Sequence, residues 1–167
     1  MKIYEINPNY IEYLLPFAPH LFRNKAKNQV NERKYVGVVL HIHNMDYFAP
    51  LSSYKEKHAK MKDGLDFLKI KDYAVINLNN MFPVPDGVYT YVDFNNVRDV
   101  RYKMLLQAEY RALKSLADKI RKNAQTLYQY KLNHQNDTPL AKRCNDFLLL
   151  EEKCAAYRPS SAKQHSR

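Results

Sequence analysis

Two hydroxyl groups and several cations follow a short hydrophobic segment in the first third of the chain. Ser52 and Ser53 end the segment YFAPLSS, and Lys55, Lys57 and His58 come directly after it. Hydroxyls and lysines at the end of a strand can donate hydrogen bonds to phosphate oxygens and stabilise negative charge that develops on them. This spacing indicates a site that is suited to binding a phosphate and stabilising charge on it. The alternative interpretation is structural, because Ser-Ser pairs are common in turns and caps, and lysine-rich runs are usually solvated surfaces.

A predicted β-hairpin positions these groups. Its first strand carries alternating apolar residues, at Val36, Val38, Leu40 and Ile42. Gly37 inside that strand indicates a bulge or a close backbone approach. Residues 43–46 form the predicted turn and residues 47–51 the return strand, in which Pro50 favours a position at a sheet edge or at the strand's end. The two serines would therefore lie at the C-terminal end of the return strand.

Three further residues are candidates for the same chemistry. Arg33 and Lys34 lie at the start of the first hairpin strand and can bind a phosphate. The role of Arg33 would be electrostatic, because arginine keeps its charge near neutral pH. Tyr10 lies on a helix that is predicted to begin at the Asn-Pro pair of residues 7–8. Tyr10 is a candidate for an orienting hydroxyl or a stacking ring, and the alternative is a core residue. Lys55 becomes an acid–base candidate if desolvation lowers its pKa.

Charge and aromatic content favour a nucleic-acid partner. The chain has 167 residues, with 27 Lys and Arg against 17 Asp and Glu and a net charge of +10, a balance that favours polyanions. Its 14 tyrosines and 7 phenylalanines can stack on exposed bases. A further set of residues is predicted to bind RNA, namely Lys34, Tyr54, Lys57, His58, Tyr102, Lys103, Tyr110, Lys114 and Arg121.

The sequence lacks the residues that several other kinds of site require. With 3 glycines in the whole chain, a glycine-rich phosphate-binding loop is excluded. His41 and His43 share a strand face, but no Cys, Asp or Glu cluster completes a metal site in the sequence, so we predict no metal and no cofactor. If Cys144 and Cys154 lie on one helix, roughly 15 Å separates them, which is beyond disulfide reach and predicts free thiols.

The remaining pattern predicts an α+β fold. Short strands are expected at residues 2–6, 67–70 and 73–78, followed by a long helix at residues 100–132. One face of that helix carries an apolar stripe, comprising Leu105, Ala108, Ala112, Leu116, Ile120, Ala124 and Leu127. Because strands come first and helices later, we expect a mostly antiparallel sheet.

A last helix is expected near the C-terminus. It would begin at Asp137 or Thr138 and continue past Leu150. Glu151 and Glu152 would then lie on its solvated face.

The predicted organisation is a single domain at residues 1–157 with a loose basic tail at residues 158–167. Residues 23–34 are polar and basic and are expected to form a mobile loop. Reduced thiols, a polar N-terminus and the lack of any run of about 20 apolar residues predict a cytoplasmic protein with no membrane partner.

Several short blocks run in order along residues 1–155 and carry a resemblance to a known family. They are KIY and YIEYL at the start, YVGVVL, YFAPLSS with Lys55 and His58, VINL with MFPV, YKML, and finally CN with LLEEK. In this order they resemble the ToxN/AbiQ family, the endoribonuclease toxins of type III toxin–antitoxin systems. The chain departs from the family pattern where Arg33 replaces a lysine of some members, Leu106 a tyrosine of some members, and Tyr54 a frequent proline.

The resemblance implies a compact, twisted, mostly antiparallel sheet wrapped by helices, similar to the MazF/CcdB-type toxin fold. It also implies RNA cleavage without a metal, in which the ribose 2′-OH attacks the phosphate and leaves a 2′,3′-cyclic phosphate. The residues expected to be catalytic in that reaction are Ser52, Ser53, Lys55, Arg33 and Tyr10.

The family further implies particular RNA partners. A structured antitoxin RNA, transcribed from a repeat array, would inhibit the toxin and would be trimmed by it. Toxin and antitoxin RNA would assemble into a closed ring, often with three copies of each. Cellular or phage mRNA would be the substrate, and the biological role would be phage defence by growth arrest.

Two other functions stay open at the level of the sequence. A non-catalytic RNA-binding protein would use the same basic surface, and a toxin of the same fold would act on a protein target such as gyrase. The cluster of Ser52, Ser53 and Lys55 discriminates between these functions and an endoribonuclease, because a gyrase poison has no need of it.

Overall fold

A computed structural model of the protein describes residues 1–23 and 31–159. The strands in that part of the chain are β1 (Lys2–Ile6), β2 (Lys34–Ile42), β3 (Met45–Ser53), β4 (Phe67–Ile70), β5 (Ala74–Asn77), β6 (Phe82–Val84) and β7 (Tyr89–Tyr91). They form an antiparallel sheet in the order β4-β5-β3-β2-β1-β7, and β6 pairs with β3 outside this series.

The helices of the same residues are α1 (Pro8–Leu14), α2 (Glu56–Ala59), α3 (Val100–His134), α4 (Pro139–Arg143) and α5 (Phe147–Ala156). The predicted α+β class and antiparallel sheet are therefore confirmed. α3 has 35 residues, yet none of the helices within the described ranges is apolar enough over a sufficient length to cross a membrane.

Local capping signals explain where the helices begin. The side chain of Asn7 accepts a hydrogen bond from the backbone N–H of Asn9 at 2.9 Å, and Pro8 follows as the first residue of α1, as predicted. Thr138 and Asp146 each cap a C-terminal helix. The single last helix expected from the sequence is therefore two helices, α4 and α5, because Asp146 starts a new one.

The core has two parts, one on each face of the sheet. Alternate residues of the hairpin divide between them: Val36 and Tyr47 pack on the side of α3, whereas Tyr35 and Phe48 pack on the side of α1. We call these the α3 face and the α1 face. The sheet is thus covered by helices on both sides.

The β2–β3 hairpin contains the irregularity that Gly37 predicted. Gly37 pairs with Phe48 and Leu40 pairs with Tyr47, so two residues of β2 are inserted where β3 has none. The insertion shifts the alternation of side chains, and Val38 packs on the α1 face. The expectation that Val38 shares a face with its apolar neighbours is therefore wrong.

β3 lies inside the sheet and not at an edge. On one side it pairs with β2, and on the other side it pairs with β6 at residues 46–48 and with β5 at residues 51–53. Pro50 falls in the interval between these two partners, so the N–H that proline lacks is not needed for either pairing. The edge position predicted from Pro50 is wrong for this reason.

The buried stripe of α3 differs from the prediction in its first turns. Leu106 is 1% exposed, whereas Leu105 is 37% exposed. Glu109 also occupies a place in the buried stripe, at 5% exposure. Further along the helix, the predicted burial is confirmed for Ala112, Ile120, Ala124 and Leu127.

A buried polar network joins the hairpin, α3 and α5. Oε1 of Glu151 accepts hydrogen bonds from the hydroxyls of Tyr47 at 2.8 Å and Tyr128 at 2.7 Å. Oε2 of the same carboxylate lies 3.0 Å from Nδ1 of His43 in the hairpin turn. The prediction of a solvated position is therefore confirmed for Glu152 but is wrong for Glu151. Glu151 is buried, and three side chains satisfy the hydrogen bonding of its carboxylate.

Cys144 and Cys154 are both buried free thiols, which confirms the prediction that they are not paired. The expected mobile loop and loose tail fall largely on residues 24–30 and 160–167, which lie outside the described residues. Arg158 at the start of the tail donates from Nη1 to the carbonyl oxygens of Ala155 and Tyr157, both at 2.9 Å.

The close approach of Phe48 to Gly37 gives a stability prediction. A Cβ atom at Gly37 would overlap carbons of the Phe48 ring. We expect Gly37→Ala to lower the free energy of unfolding by about 1–3 kcal/mol, because a fully buried ring must move. Gly64→Ala is the matched control, since its Cβ would meet Oδ1 of Asp66 at an ordinary 3.5 Å. Urea unfolding of both variants measures the difference, and equal stabilities would contradict the prediction.

Candidate active site

The strand register brings Arg33 and Ser52 together. Lys34 pairs with Leu51 across the hairpin, so the next residues outward, Arg33 and Ser52, face each other. Nη1 of Arg33 donates a hydrogen bond to Oγ of Ser52 at 3.0 Å. Ser53 is exposed beside them at the end of β3. A guanidinium group and two hydroxyls therefore share one end of the hairpin.

These groups lie in a cleft with a volume of about 680 Å³. Its walls come from the start of β2, the end of β3, α2, β5 and α3. Of the residues predicted from the sequence, the cleft brings together Arg33, Lys34, Ser52, Ser53, Lys55, Lys57, His58 and Tyr102.

The two basic residues at the start of β2 have different surroundings. Lys34 is buried, and its Nζ lies 2.6 Å from Oε1 of Glu5 and 3.2 Å from the carbonyl oxygen of Glu32. The guanidinium of Arg33 lies 5.4 Å from the ring centre of Phe22. Because the charge of Lys34 is already paired, Arg33 is the better placed of the two to bind a phosphate.

Lys55 and His58 are held together at the start of α2. The backbone N–H of Lys55 donates to Nδ1 of His58 at 2.9 Å, and the backbone N–H of His58 donates to the carbonyl oxygen of Lys55 at 2.8 Å. Because Nδ1 accepts a hydrogen bond, the neutral imidazole carries its proton on Nε2. Burial, together with the charges of Lys57 and Lys55, lowers the pKa of His58. The neutral ring therefore predominates near pH 7.

α3 supplies another wall of the cleft, with Tyr102, Leu106 and Glu109. Burial raises the pKa of Glu109 to about 7, and no ion pair or hydrogen bond of its carboxyl group occurs among the described residues. Burial, followed by the charges of Glu109 and Glu5, raises the pKa of Tyr102 to about 12. Tyr102 and Glu109 are seven positions apart on α3, which places them about two turns apart on one side of the helix.

The arrangement can bind a phosphodiester and stabilise added charge on it. Arg33 and Lys55 supply positive charge, and the hydroxyls of Ser52 and Ser53 can donate to phosphate oxygens. Guanidinium and hydroxyl groups do not readily exchange protons near pH 7. The geometry of these four residues therefore favours electrostatic stabilisation of a transition state.

Tyr10 and Tyr54 lie outside this cleft. Tyr10 is fully buried on the α1 face, its hydroxyl donates to the carbonyl oxygen of Pro83 at 2.7 Å, and its ring centre lies 4.8 Å from that of Tyr157. This position agrees with the alternative of a core residue, and a catalytic role of Tyr10 stays a prediction. Tyr54 packs its ring against His58, with ring centres 5.7 Å apart.

The remaining predicted RNA-binding residues, which also lie outside the cleft, are Lys103, Tyr110, Lys114 and Arg121. Tyr110 packs against Phe94, with ring centres 5.7 Å apart, and Nζ of Lys114 lies 4.9 Å from the Tyr110 ring centre. Nη1 of Arg121 lies 3.5 Å from Oδ1 of Asp118. Contact of these α3 residues with RNA stays a prediction.

His41 and His43 have separate partners. Nδ1 of His41 lies 2.6 Å from Oδ1 of Asp46, while His43 contacts Glu151. Within residues 1–23 and 31–159, no group of three His, Cys, Asp or Glu side chains is placed to hold a metal ion.

The sequence analysis missed Glu109, Phe22, Asn77 and Asn80 as lining residues. A signal for Glu109 was present, because it is an acidic residue three positions after Leu106 and four before Leu113, which is a core position of an amphipathic helix. Phe22, Asn77 and Asn80 carry no such signal, since separate segments bring them to the cleft only in the folded protein.

Comparison with known proteins identifies the family. Residues 2–155 match the family model of toxin ToxN, type III toxin–antitoxin system. The chain belongs to the ToxN family. It is 31% identical over 161 residues to the endoribonuclease ToxN of Pectobacterium atrosepticum, which covers 92% of this chain and 91% of the relative. It is also 31% identical over 177 residues to the endoribonuclease AbiQ of Lactococcus lactis subsp. lactis, with 98% and 93% covered. The resemblance seen in the sequence blocks is thereby confirmed.

Solved structures related to this ToxN family member share its fold. One, from work on a processed non-coding RNA that regulates a bacterial antiviral system, has a TM-score of 0.83 at 29% identity and covers 94% of this chain and 99% of that chain. Another, from work on selective toxin inhibition by a non-coding RNA pseudoknot, has a TM-score of 0.79 at 29% identity, with 93% and 96% covered. The likeness therefore extends over nearly the whole chain.

The buried carboxyl group of Glu109 predicts a pH-dependent stability. Its pKa is raised from 4.5 to about 7 in the folded protein, so the folded state holds the proton more tightly than the unfolded chain. The free energy of unfolding therefore falls as the pH rises from about 4.5 to about 7, because the unfolded chain ionises this carboxyl group more readily than the folded protein does. Glu109→Gln removes this penalty, and we expect it to raise the free energy of unfolding by about 3 kcal/mol at pH 8 and very little at pH 4.5.

Urea unfolding at the two pH values measures this difference. Glu152→Gln is the matched control, because Glu152 has a side chain that is 71% exposed on α5 and should show no pH-dependent gain. An equal gain for Glu109→Gln at both pH values would show that the carboxyl group does not titrate as described.

Proposed function

We propose that the cleft of this chain cleaves single-stranded RNA without a metal ion. The observation that carries the proposal is the hydrogen bond from Arg33 to Ser52 at 3.0 Å, in a cleft that also holds Ser53 and Lys55. Positive charge and hydroxyl donors meet there, which suits a phosphate that gains negative charge in the transition state. As a member of the ToxN family, the chain is an endoribonuclease toxin of a type III toxin–antitoxin system.

The proposed reaction is an attack of the ribose 2′-OH on the adjacent phosphorus. The bond from phosphorus to the 5′ oxygen breaks, and the products are a 2′,3′-cyclic phosphate and a 5′-hydroxyl. The proton lost by the 2′-OH is balanced by the proton gained by the leaving 5′ oxygen. Arg33 and Lys55 offset the charge on the crowded phosphate, while Ser52 and Ser53 donate to its oxygens.

The proposed inhibitor is a structured RNA. In related structures, a processed non-coding RNA regulates an antiviral system and a non-coding RNA pseudoknot inhibits a toxin. We propose that this chain binds a repeat-derived antitoxin RNA, trims it, and closes with it into a ring of three toxins and three RNAs. The net charge of +10 supports binding to a polyanion, and Lys114 and Arg121 on α3 would add phosphate contacts outside the cleft.

The proposed substrate of the free toxin is cellular or phage mRNA, and its cleavage would arrest growth during phage infection. We place this activity in one domain at residues 1–157 and in the cytoplasm. Two free cysteine thiols support a reducing compartment.

Cleavage by this route should not depend on divalent cations. We expect the protein to cleave single-stranded RNA in excess EDTA, because Arg33 and Lys55 supply the charge that a metal would otherwise provide. End mapping should find 2′,3′-cyclic phosphate and 5′-hydroxyl termini. Loss of activity in chelator, or products with a 3′-hydroxyl, would overturn the proposed reaction.

Ser53→Ala should separate the chemical step from RNA binding. The variant removes one donor and little volume, so we expect single-turnover cleavage to slow by about 10²-fold while RNA affinity changes little. Ser115→Ala is the matched control, because Ser115 is an exposed α3 residue that donates to the carbonyl oxygen of Ala112 at 2.7 Å. If Ser53→Ala cleaved as fast as this control, Ser53 would have no part in the reaction.

A further inference from the structure

Glu109 is a buried acid that the proposed phosphate chemistry does not use. Its side chain lines the cleft, although the residue is only 5% exposed. Within residues 1–23 and 31–159, no cation or hydrogen-bond donor contacts its carboxyl group. A buried carboxyl group without a partner is costly, so its presence at a core position of α3 indicates a ligand that partners it.

The other buried charged groups of the described residues are satisfied within the protein. Glu151 accepts two tyrosine hydroxyls, Lys34 pairs with Glu5, and Nζ of Lys131 donates to three oxygen atoms at 2.7–2.9 Å. Glu109 differs from all three because no described residue bonds its carboxyl group, although the residue lines the cleft. A ligand in the cleft is therefore well placed to complete its hydrogen bonding.

The surroundings of Glu109 suit a flat, partly apolar ligand with polar edges. Leu106 and Leu105 lie on the same part of α3, and Val75 and Asn77 of β5 line the cleft with them. Aliphatic side chains provide contact area for the faces of a ring, while a carboxyl group can bond its edge. A nucleobase has an apolar face and a polar edge, whereas a phosphate has no apolar face.

The phosphate-binding groups belong to other elements. Arg33 precedes β2, Ser52 and Ser53 end β3, and Lys55 precedes α2, whereas Glu109 lies on α3. A carboxyl group would repel a phosphate if it were ionised beside it. The cationic groups and Glu109 therefore come to the cleft from different elements.

Burial without a cation favours the neutral form of Glu109. Burial raises the pKa of this group to about 7, and entry of an uncharged base would remove further water from it. Tyr102 on α3 lies near enough for the charge of Glu109 to raise its pKa, and Glu5 on β1 acts on Tyr102 in the same direction. Lys34 is paired with Glu5. The other charged or titratable groups that line the cleft are Glu32, Arg33, Lys55, Lys57 and His58. A protonated carboxyl group offers one donor and one acceptor side by side.

We propose that Glu109 is a specificity-determining residue, whose protonated carboxyl group pairs with the edge of an adenine or cytosine next to the scissile phosphate. On both bases a basic ring nitrogen stands beside an exocyclic amino group. The carboxyl O–H donates to the ring nitrogen and the carbonyl oxygen accepts from the amino group. Guanine and uracil present a carbonyl oxygen beside a ring N–H at that edge, and they match the carboxyl group less well because a carbonyl oxygen is a weaker acceptor than a basic ring nitrogen. This inference rests on the proposed function, because it assigns the base that accompanies the cleaved phosphate.

The test uses the full-length protein and short single-stranded RNAs that differ at one nucleotide beside the cleavage site. Wild type should cleave the RNAs with adenine or cytosine at one such position about 10-fold faster than those with guanine or uracil, because the ring nitrogen is the stronger acceptor and base contacts discriminate by about that amount. Glu109→Met, which keeps the volume and removes both polar atoms, should abolish the preference. Glu109→Gln should keep it to within about threefold, because the amide also offers one donor and one acceptor.

Glu152→Met on the exposed side of α5 is the matched control and should behave as wild type. The thermal unfolding midpoints of both Glu109 variants should not fall below that of wild type, so that a change of preference is not a loss of fold. Unchanged base preference in Glu109→Met would overturn the proposal. So would a wild-type preference for guanine or uracil at that position. A loss of about 10²-fold or more by Glu109→Gln on every RNA would instead assign the carboxyl group to proton transfer and would also overturn it.

A binding measurement separates this proposal from the proposed function. If wild type cleaved none of the RNAs, the endoribonuclease proposal would fail, and equilibrium binding of the same RNAs would decide the role of Glu109. Tighter binding of the adenine or cytosine RNAs that disappears in Glu109→Met would support base recognition without cleavage. Equal binding of all four RNAs by wild type and variant would reject it.

Discussion

The site depends on the antiparallel pairing of β2 with β3. Pairing of Lys34 with Leu51 sets Arg33 opposite Ser52, and a shift of one residue would turn Ser52 toward the other face of the sheet. The close contact between Gly37 and the ring of Phe48 lies within the same pair of strands. Because Gly37 leaves room for the ring, the strands stay paired on both sides of the bulge, and the ends that carry Arg33 and Ser52 remain aligned.

The central position of β3 explains why this register is rigid. β2 pairs with one side of β3, and β5 and β6 divide the other side between them. Pro50 is accommodated where these two partners leave a gap. Ser52 and Ser53 pair with β5 at residues 74–75, so their backbone is fixed before any substrate is present. A fixed backbone keeps hydroxyl donors in place at no cost during the reaction.

The two buried acidic residues Glu151 and Glu109 differ in what surrounds their carboxyl groups. Glu151, bonded by Tyr47 and Tyr128, joins α5 and α3 to the hairpin and has a structural role. Glu109 has no such partners among the described residues and faces the cleft. Since an unpaired buried acid destabilises a fold, the contrast between these two residues supports the proposed role of Glu109 in the cleft.

Four features could be predicted from local periodicity or spacing: the α+β class, the hairpin with its irregularity at Gly37, the long helix, and the group of Ser52, Ser53 and Lys55. The burial of Tyr10 and Glu151, and the position of Glu109 in the cleft, become visible in the folded protein alone. The physical reason is that burial and pairing of a polar side chain depend on residues far away in the chain. Tyr10 bonds the carbonyl group of Pro83, and Glu151 bonds Tyr47, and neither partner can be read from the local sequence.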